Sequence, residues 1–293
     1  MSTTAFGTPC QATTDAEFRS WGQAISNALA AMGLVKTSDT GQINWTTVLK
    51  PASASTMQGY EIWRFADPLQ ATCPVFFKLE YGSGGTAAVL GMALTVGYGS
   101  DGAGNLNAQV GNRRLFSAST TSATPALTYV SGATDRIGVV VNPGVANVGF
   151  GFHIERSKDA SGNNTSVGIC TYTHLVATSP SPVEQFIPQA GIIPVIDLQP
   201  FSFCASGNSA VAGTDVGLFP QYPFFGKLLN PKMGLIGYMN GDIQPLISIP
   251  VTIYGATHTY LTLGMNAVYV GSNSYAPGRG QGYATSTMMM RWE

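Results

Sequence analysis

Thr14-Asp15-Ala16-Glu17-Phe18-Arg19-Ser20-Trp21 opens the stretch whose reading decides the fold, and that stretch runs on to Gly85. Its first four residues have the capping-box form, in which the threonine hydroxyl and the glutamate carboxylate each take a backbone N–H that the first helical turn leaves free. Phe18, Trp21, Ile25, Leu29 and Met32 follow at three- and four-residue spacings, which puts them on one helical stripe. Gly33 is placed to end the helix in the left-handed conformation. Tyr60-Glu61-Ile62-Trp63-Arg64-Phe65 then alternates, with Glu61, Trp63 and Phe65 on one face and Tyr60, Ile62 and Arg64 on the other. Pro74 to Tyr81 is a second aromatic-rich strand, and the short connection through Asp67-Pro68 makes the two a hairpin. A helix so well bounded, in a chain otherwise full of strand signals, is the piece the sheets pack against.

Working outward from this stretch, residues 1–13 form a small, polar, extended arm, free or docked on a neighbour. Ile43-Asn44-Trp45 begins a short extended piece. Val89 to Val96 is a strand closing on a glycine-rich loop, Gly97 to Asn105, and 107–134 are polar and low in pattern. Ile137 to Val141 and Val145 to Glu155 are strands around Asn142-Pro143-Gly144. Val167 to Val176 is joined to them through 158–164. Ser179-Pro180-Ser181-Pro182 reads as a rigid crossover or linker. Beyond it Ile192 to Leu198 is apolar, 201–232 is dense in Pro, Phe and Gly, and Gly234 to Tyr238, Leu246 to Tyr254 and Thr257 to Leu263 complete the strands. The last two pair across Gly255-Ala256. The expected fold is mainly β, with antiparallel β-sandwich-like sheets and one N-terminal amphipathic helix packed on a sheet. The helix and first sheets occupy 1–177, the crossover 178–190 and a C-terminal β region 191–293, separate from the first region or continuous with it.

The chain has 293 residues, 14 basic and 15 acidic, so charged residues make up only 10% against about 25% in ordinary globular proteins. Mean hydropathy is +0.13. So little charge is unusual in a free monomer. The two ordinary resolutions are a membrane and a large permanent interface. No apolar run reaches the roughly 18–20 residues that a spanning helix needs, and the regular alternation of an outer-membrane barrel is missing. Burial in an assembly is the better account. A net charge of −1, with Arg113-Arg114 the only adjacent basic pair, argues against a nucleic-acid partner, whose phosphates call for a clustered basic surface. No secretory leader is read at the N-terminus. Cys10, Cys73, Cys170 and Cys204 are widely spaced and suit free thiols in a reducing cytosol.

Motifs for chemistry are thin. Gly97-Tyr98-Gly99-Ser100-Asp101-Gly102 fits the dinucleotide fingerprint, but no helix follows it and no acidic residue lies between Asp101 and Asp135. It reads as a hairpin or surface loop. Asp101, Asn105 and the carbonyls between them offer one carboxylate to a calcium ion that wants six or more oxygens. His153 and Cys170 face each other if their strands pair around Ser161-Gly162, yet two further metal ligands are lacking. His174 and His258 sit singly on strands. Glu61, Glu80, Asp135, Glu155, Glu184, Asp197, Asp215 and Asp242 are scattered, with nothing to choose two of them as a glycosidase pair. No catalytic, cofactor-binding or metal residue is assigned, and no cofactor is implied.

Thr14-Asp15-Ala16-Glu17-Phe18-Arg19-x-Trp21, Gly33-Leu34-Val35, Asp39 to Trp45 and Gly59 to Phe65 resemble tailed-bacteriophage virion structural proteins. The resemblance continues through Leu69 to Thr72, Pro74 to Lys78, Glu80-Tyr81-Gly82 and Gly99 to Leu106, with Val251 to Gly255 and Met290-Arg291-Trp292 near the end. It is densest over 14–106 and weak over 107–145. The resemblance implies a non-enzymatic part of a phage particle, a tail fibre or baseplate component or a head decoration, made in the host bacterial cytoplasm and located in the virion. The implied partners are further copies of itself and other virion proteins, with no nucleic acid and no membrane span. The alternative is a host-surface adhesin that contacts glycans, through aromatic platforms or through loops in 97–134 or 201–232. A polysaccharide hydrolase is the third reading.

Overall fold

Helix formation follows the caps. The helix α1 spans Asp15–Ala31, with Glu17 N–H donating to Thr14 Oγ1 at 3.2 Å and Thr14 N–H donating to Glu17 Oε2 at 2.9 Å. Gly33 turns with φ +84°, and the Leu34 N–H reaches back to the Leu29 carbonyl at 3.3 Å. The computed structural model describes residues 1–9, 12–84, 89–117, 125–142, 150–159, 161–174, 183–186, 219–220, 236–240, 247–253, 256–262 and 286–293.

In chain order the strands are β1 (Ser2–Pro9), β2 (Val35–Lys36), β3 (Met57–Arg64), β4 (Phe76–Ser83), β5 (Leu90–Gly97), β6 (Gly99–Ser100) and β7 (Leu106–Asn107). Then come β8 (Val110–Ser117), β9 (Pro125–Ala133), β10 (Arg136–Asn142), β11 (Phe150–Lys158), β12 (Asn164–His174) and β13 (Val183–Phe186). The last five are β14 (Phe219–Pro220), β15 (Ile236–Asn240), β16 (Ser248–Ile253), β17 (Ala256–Thr262) and β18 (Ser286–Arg291). They form an N-terminal sheet β2-β3-β4-β5-β8, a middle sheet β1-β9-β10-β11-β12-β13, a C-terminal sheet β14-β15-β18-β17-β16 and a small hairpin β6-β7. Every pairing is antiparallel. The chain is thus mainly β with one α-helix among the described residues.

Between the first two sheets lies one apolar core. Phe18, Trp21, Ile25 and Leu29 of α1 enter it with Trp63, Phe77, Leu79, Tyr81, Met92 and Leu94 from the N-terminal sheet. Val130, Ile137, Val139, Val141, Phe152 and Ile154 enter it from the middle sheet. The helix touches β1, β9 and β2, so it closes one side of this sandwich, and β8 approaches β11, β12 and β13 at the other. Tyr81 stands edge-on to both Trp21 (5.9 Å) and Trp45 (4.8 Å), an arrangement that places ring edges against π faces. The outer edge of the Trp45 ring lies against the helix at Gly22, where any Cβ would occupy the ring's own space. Each large side chain buried here contributes about 1.5–3 kcal/mol.

The middle sheet is covered on its second face as well. Tyr129 meets the Trp292 ring at 5.9 Å, and the Ser131 hydroxyl donates to the Arg291 carbonyl at 2.6 Å. Tyr260 and Met290 of the C-terminal sheet are buried.

The β3–β4 hairpin, the β10–β11 pair and the closing of β16 on β17 at Ile253 and Ala256 all form as the sequence implies. Four features differ. Within the arm at 1–13, Ser2–Pro9 is strand β1, paired along its length with β9 of its own chain. Residues 107–134 carry β8 and β9, whose patterns are hidden because β9 is buried on both faces and mixes Thr, Ser and Gly with its apolar residues. Trp45 lies in a turn, with Thr47 and Val48 N–H bonding the Asn44 carbonyl. The 178–190 stretch contains β13, which pairs with β12. Pro143-Gly144, Ser179 to Pro182, Ile192 to Leu198 and the 201–218 and 221–232 parts of the Pro/Phe/Gly-rich segment lie outside the described residues, as do Cys10 and Cys204.

Candidate functional site

Glu61 sits in the middle of β3 on the face turned to the helix, and it is fully buried. A buried carboxylate is tolerable only if its charge and lone pairs are satisfied. Here five donors converge on it. Oε1 accepts from the Ser26 hydroxyl of α1 (2.8 Å), the Lys36 ammonium of β2 (2.6 Å) and the Trp45 indole N–H (3.0 Å). Oε2 accepts from the Trp63 indole N–H (3.2 Å) and the Tyr81 hydroxyl (2.9 Å). Burial, and then the Glu61 charge, push the Tyr81 phenol well above its ordinary range. Because the donors come from α1, β2, β3, β4 and the turn at Trp45, this one carboxylate fixes how the helix seats on the sheet. Chemically it is occupied: both oxygens accept hydrogen bonds from several elements, so it is positioned as an anchor.

A second network sits at one end of the sandwich. The Arg156 guanidinium pairs with Asp67 through Nε (2.6 Å) and Nη2 (2.9 Å), all buried, and lies over the Phe65 ring at 5.6 Å. Asn164 Nδ2 reaches Asp67 at 3.4 Å, its Oδ1 accepts from Lys158 Nζ, and Lys158 Nζ also meets Asp135 at 2.7 Å. Arg136 Nε lies 3.7 Å from Asp135. This chain of bonds ties the loop after β3 to the β9–β10 turn and the β11–β12 hairpin. Burial alone would raise Asp135, but Arg136 and Lys158 outweigh it and hold the carboxyl below its usual range. Glu155 behaves alike: burial opposes ionisation, and the His153 ring 3.3 Å away with Lys158 and Arg136 lowers it overall.

The motif segments Asp39 to Trp45 and Gly99 to Leu106 meet on the outer side of the N-terminal sheet. Asp39 accepts from Ser100 Oγ and from Gly104 N–H (3.1 Å), and Thr40 N–H bonds the Gly102 carbonyl at 2.9 Å. Lys78 Nζ donates to the Gly104 carbonyl at 2.8 Å and lies 4.1 Å over the Tyr60 ring. Gly104, at φ +99°, presses its Cα against that ring, so a side chain there would meet both strain and overlap. The spacing of these motifs is thus explained by an interlock of two loops.

Asp101 Oδ1 accepts from Ala103 and Asn105 N–H and Oδ2 from Asn105 Nδ2 (2.7, 3.0 and 2.8 Å). The Asn105 side-chain amide above all, with these N–H groups, lowers the Asp101 carboxyl. Asn105 presents a donor where a calcium site needs an oxygen. Asp159 repeats the pattern with Ser161 N–H, Asn163 N–H and Asn163 Nδ2 (2.8, 2.9 and 3.1 Å), so both loops are self-closed turns. His153 and Cys170 do lie on paired strands, but the register sets His153 opposite Thr171 and Cys170 opposite Ile154, so the two are not cross-strand partners. Among the described residues no group of three His, Cys, Asp or Glu side chains is placed to hold a metal ion. Cys73 is a buried free thiol, and the exposed Arg113 pairs with Glu80 at 2.5 Å. His258 Nδ1 meets Glu293 at 2.8 Å, and the Arg291 hydrogen bond, foremost, brings Glu293 down to about 2.

The Glu61 anchor had a signal in the sequence. Glu61 shares a strand face with Trp63 and Phe65, and Ser26 adjoins Ile25 on the helical stripe, so two polar residues stand where apolar ones belong. No family model, curated protein or solved structure matches this chain. No helix among the described residues is long and apolar enough to cross a membrane.

Proposed function

We propose that the chain is a non-enzymatic structural component of a bacteriophage particle, tail-associated as part of a fibre or baseplate, that assembles with copies of itself and docks on other virion proteins. The observation that carries this reading is where the charge goes. Of 29 charged residues, Asp39, Glu61, Asp67, Asp135, Glu155, Arg156 and Lys158 are buried, which leaves at most 22 for the surface of a 293-residue chain. Charge is spent on fixing the interior, where each group is paired, while the surface is left nearly neutral. A surface of that kind favours contact with other protein over free solution. The Glu61 anchor and the loop interlock support the same reading, since the unusual residues brace the fold.

Quantitative mass spectrometry of purified particles tests it, and the expected result is the chain present in several copies per particle. A stable monomer absent from particles would overturn the reading. Glycan binding by that monomer would favour the adhesin. Hydrolysis of host polysaccharide that disappears when one carboxylate is neutralised would favour the enzyme.

A further inference from the structure

We propose that β1 is an exchangeable strand, so that in the assembled state Ser2–Pro9 of one copy pairs with Pro125–Ala133 of another. This rests on the homo-oligomeric reading above. Three observations carry it. β1 is the edge strand of the middle sheet, and β9 is the strand it pairs with there. Its pairing is long and regular: eight successive residues, Ser2 opposite Gly132 through Pro9 opposite Pro125, pair without a bulge, and Phe6 packs on the core. And Ser-Thr-Thr-Ala-Phe-Gly-Thr-Pro contains no charge, whereas natural edges are guarded by lysines or inward charges.

The place β1 occupies cannot be left empty. Beneath it Thr128, Val130 and Ser131 are fully buried, and the vacated edge of β9 would expose its own unpaired N–H and C=O groups. The segment shown by the structure to fit that edge, in length, register and the seat of Phe6, is β1 itself. A second copy supplies an identical strand through identical pairs, so the exchanged and unexchanged states share the whole β1–β9 register. Such an exchange links copies at low cost and without using charge, which is sparse in this chain.

Gly7 and Leu127 give a direct test. They stand opposite each other on β1 and β9, both exposed, and a Cβ at Gly7 meets nothing within 4 Å. Directly opposed antiparallel residues are within disulfide reach. Two full-length chains distinguishable by size, one carrying Gly7→Cys and the other Leu127→Cys, are produced together, checked for folding by near-ultraviolet circular dichroism, and oxidised. The expected result is a disulfide-linked pair of unlike chains, lost on reduction and absent when either variant is combined with wild type. With Gly7→Cys and Leu127→Cys placed together in one chain, oligomers in which the bond forms only within that chain would overturn the exchange and leave the structural function standing. A chain that stays monomeric and gives no link between unlike chains would overturn both.

Discussion

At the scale of the residue, Glu61 is where stability is most concentrated. Glu61→Ala strands four buried donors and the partly exposed Lys36 ammonium, and is expected to cost about 3–5 kcal/mol in denaturant unfolding. Glu61→Gln keeps the shape but turns an amide donor toward other donors, so it should recover only part of that loss. Tyr81→Phe removes one donor and should cost about 1–2 kcal/mol. Since the fold raises the Tyr81 phenol, its contribution is fully present below the unfolded phenol value of about 10 and is lost as pH rises past it. The phenylalanine variant should therefore show a shallower alkaline decline in its urea midpoint. Gly22→Ala, a substitution that helps most helices, should here destabilise by about 1–3 kcal/mol, because Trp45 fills the space.

The helix, the first hairpin and the β16–β17 hairpin were legible because their signals are local: a capping box, a stripe, alternation, a short turn. β8 and β9 were not. Residue alternation marks a strand when one face is wet, and Thr128 and Val130 on one face of β9, with Tyr129 and Ser131 on the other, are all buried. The Glu61 anchor was half legible, since the sequence places Glu61 on the aromatic face but cannot say that Ser26, Lys36 and Trp45 arrive there. That knowledge is tertiary.

At the scale of the element, α1 is held by its apolar stripe, and Trp21→Ala is expected to cost about 3–5 kcal/mol by unfolding in urea. The end of the sandwich is held by charge, and its sign can be worked out. The fold lowers the Asp135 and Glu155 carboxyls, so the unfolded chain binds more protons in acid. Their contribution is present above the unfolded carboxylate values near pH 4 and is lost as pH falls through the folded values. The unfolding midpoint should accordingly fall with acid in that window. Asp135→Asn, less stable at pH 7, should show a flatter fall, and an unchanged slope would remove Asp135 from the network's acid response. The β1–β9 pairing belongs to the same scale, since it joins two strands along their length.

At the scale of the whole molecule, a chain with few charges buries several of them in pairs and leaves its surface nearly neutral. Self-association through such a surface is insensitive to salt, because screening weakens only exposed charge. Sedimentation velocity of the full chain, at micromolar concentration in low and in high salt, is the most direct test. The account predicts a discrete oligomer whose population is unchanged or increased by salt, and a monomer at every concentration and ionic strength would contradict it.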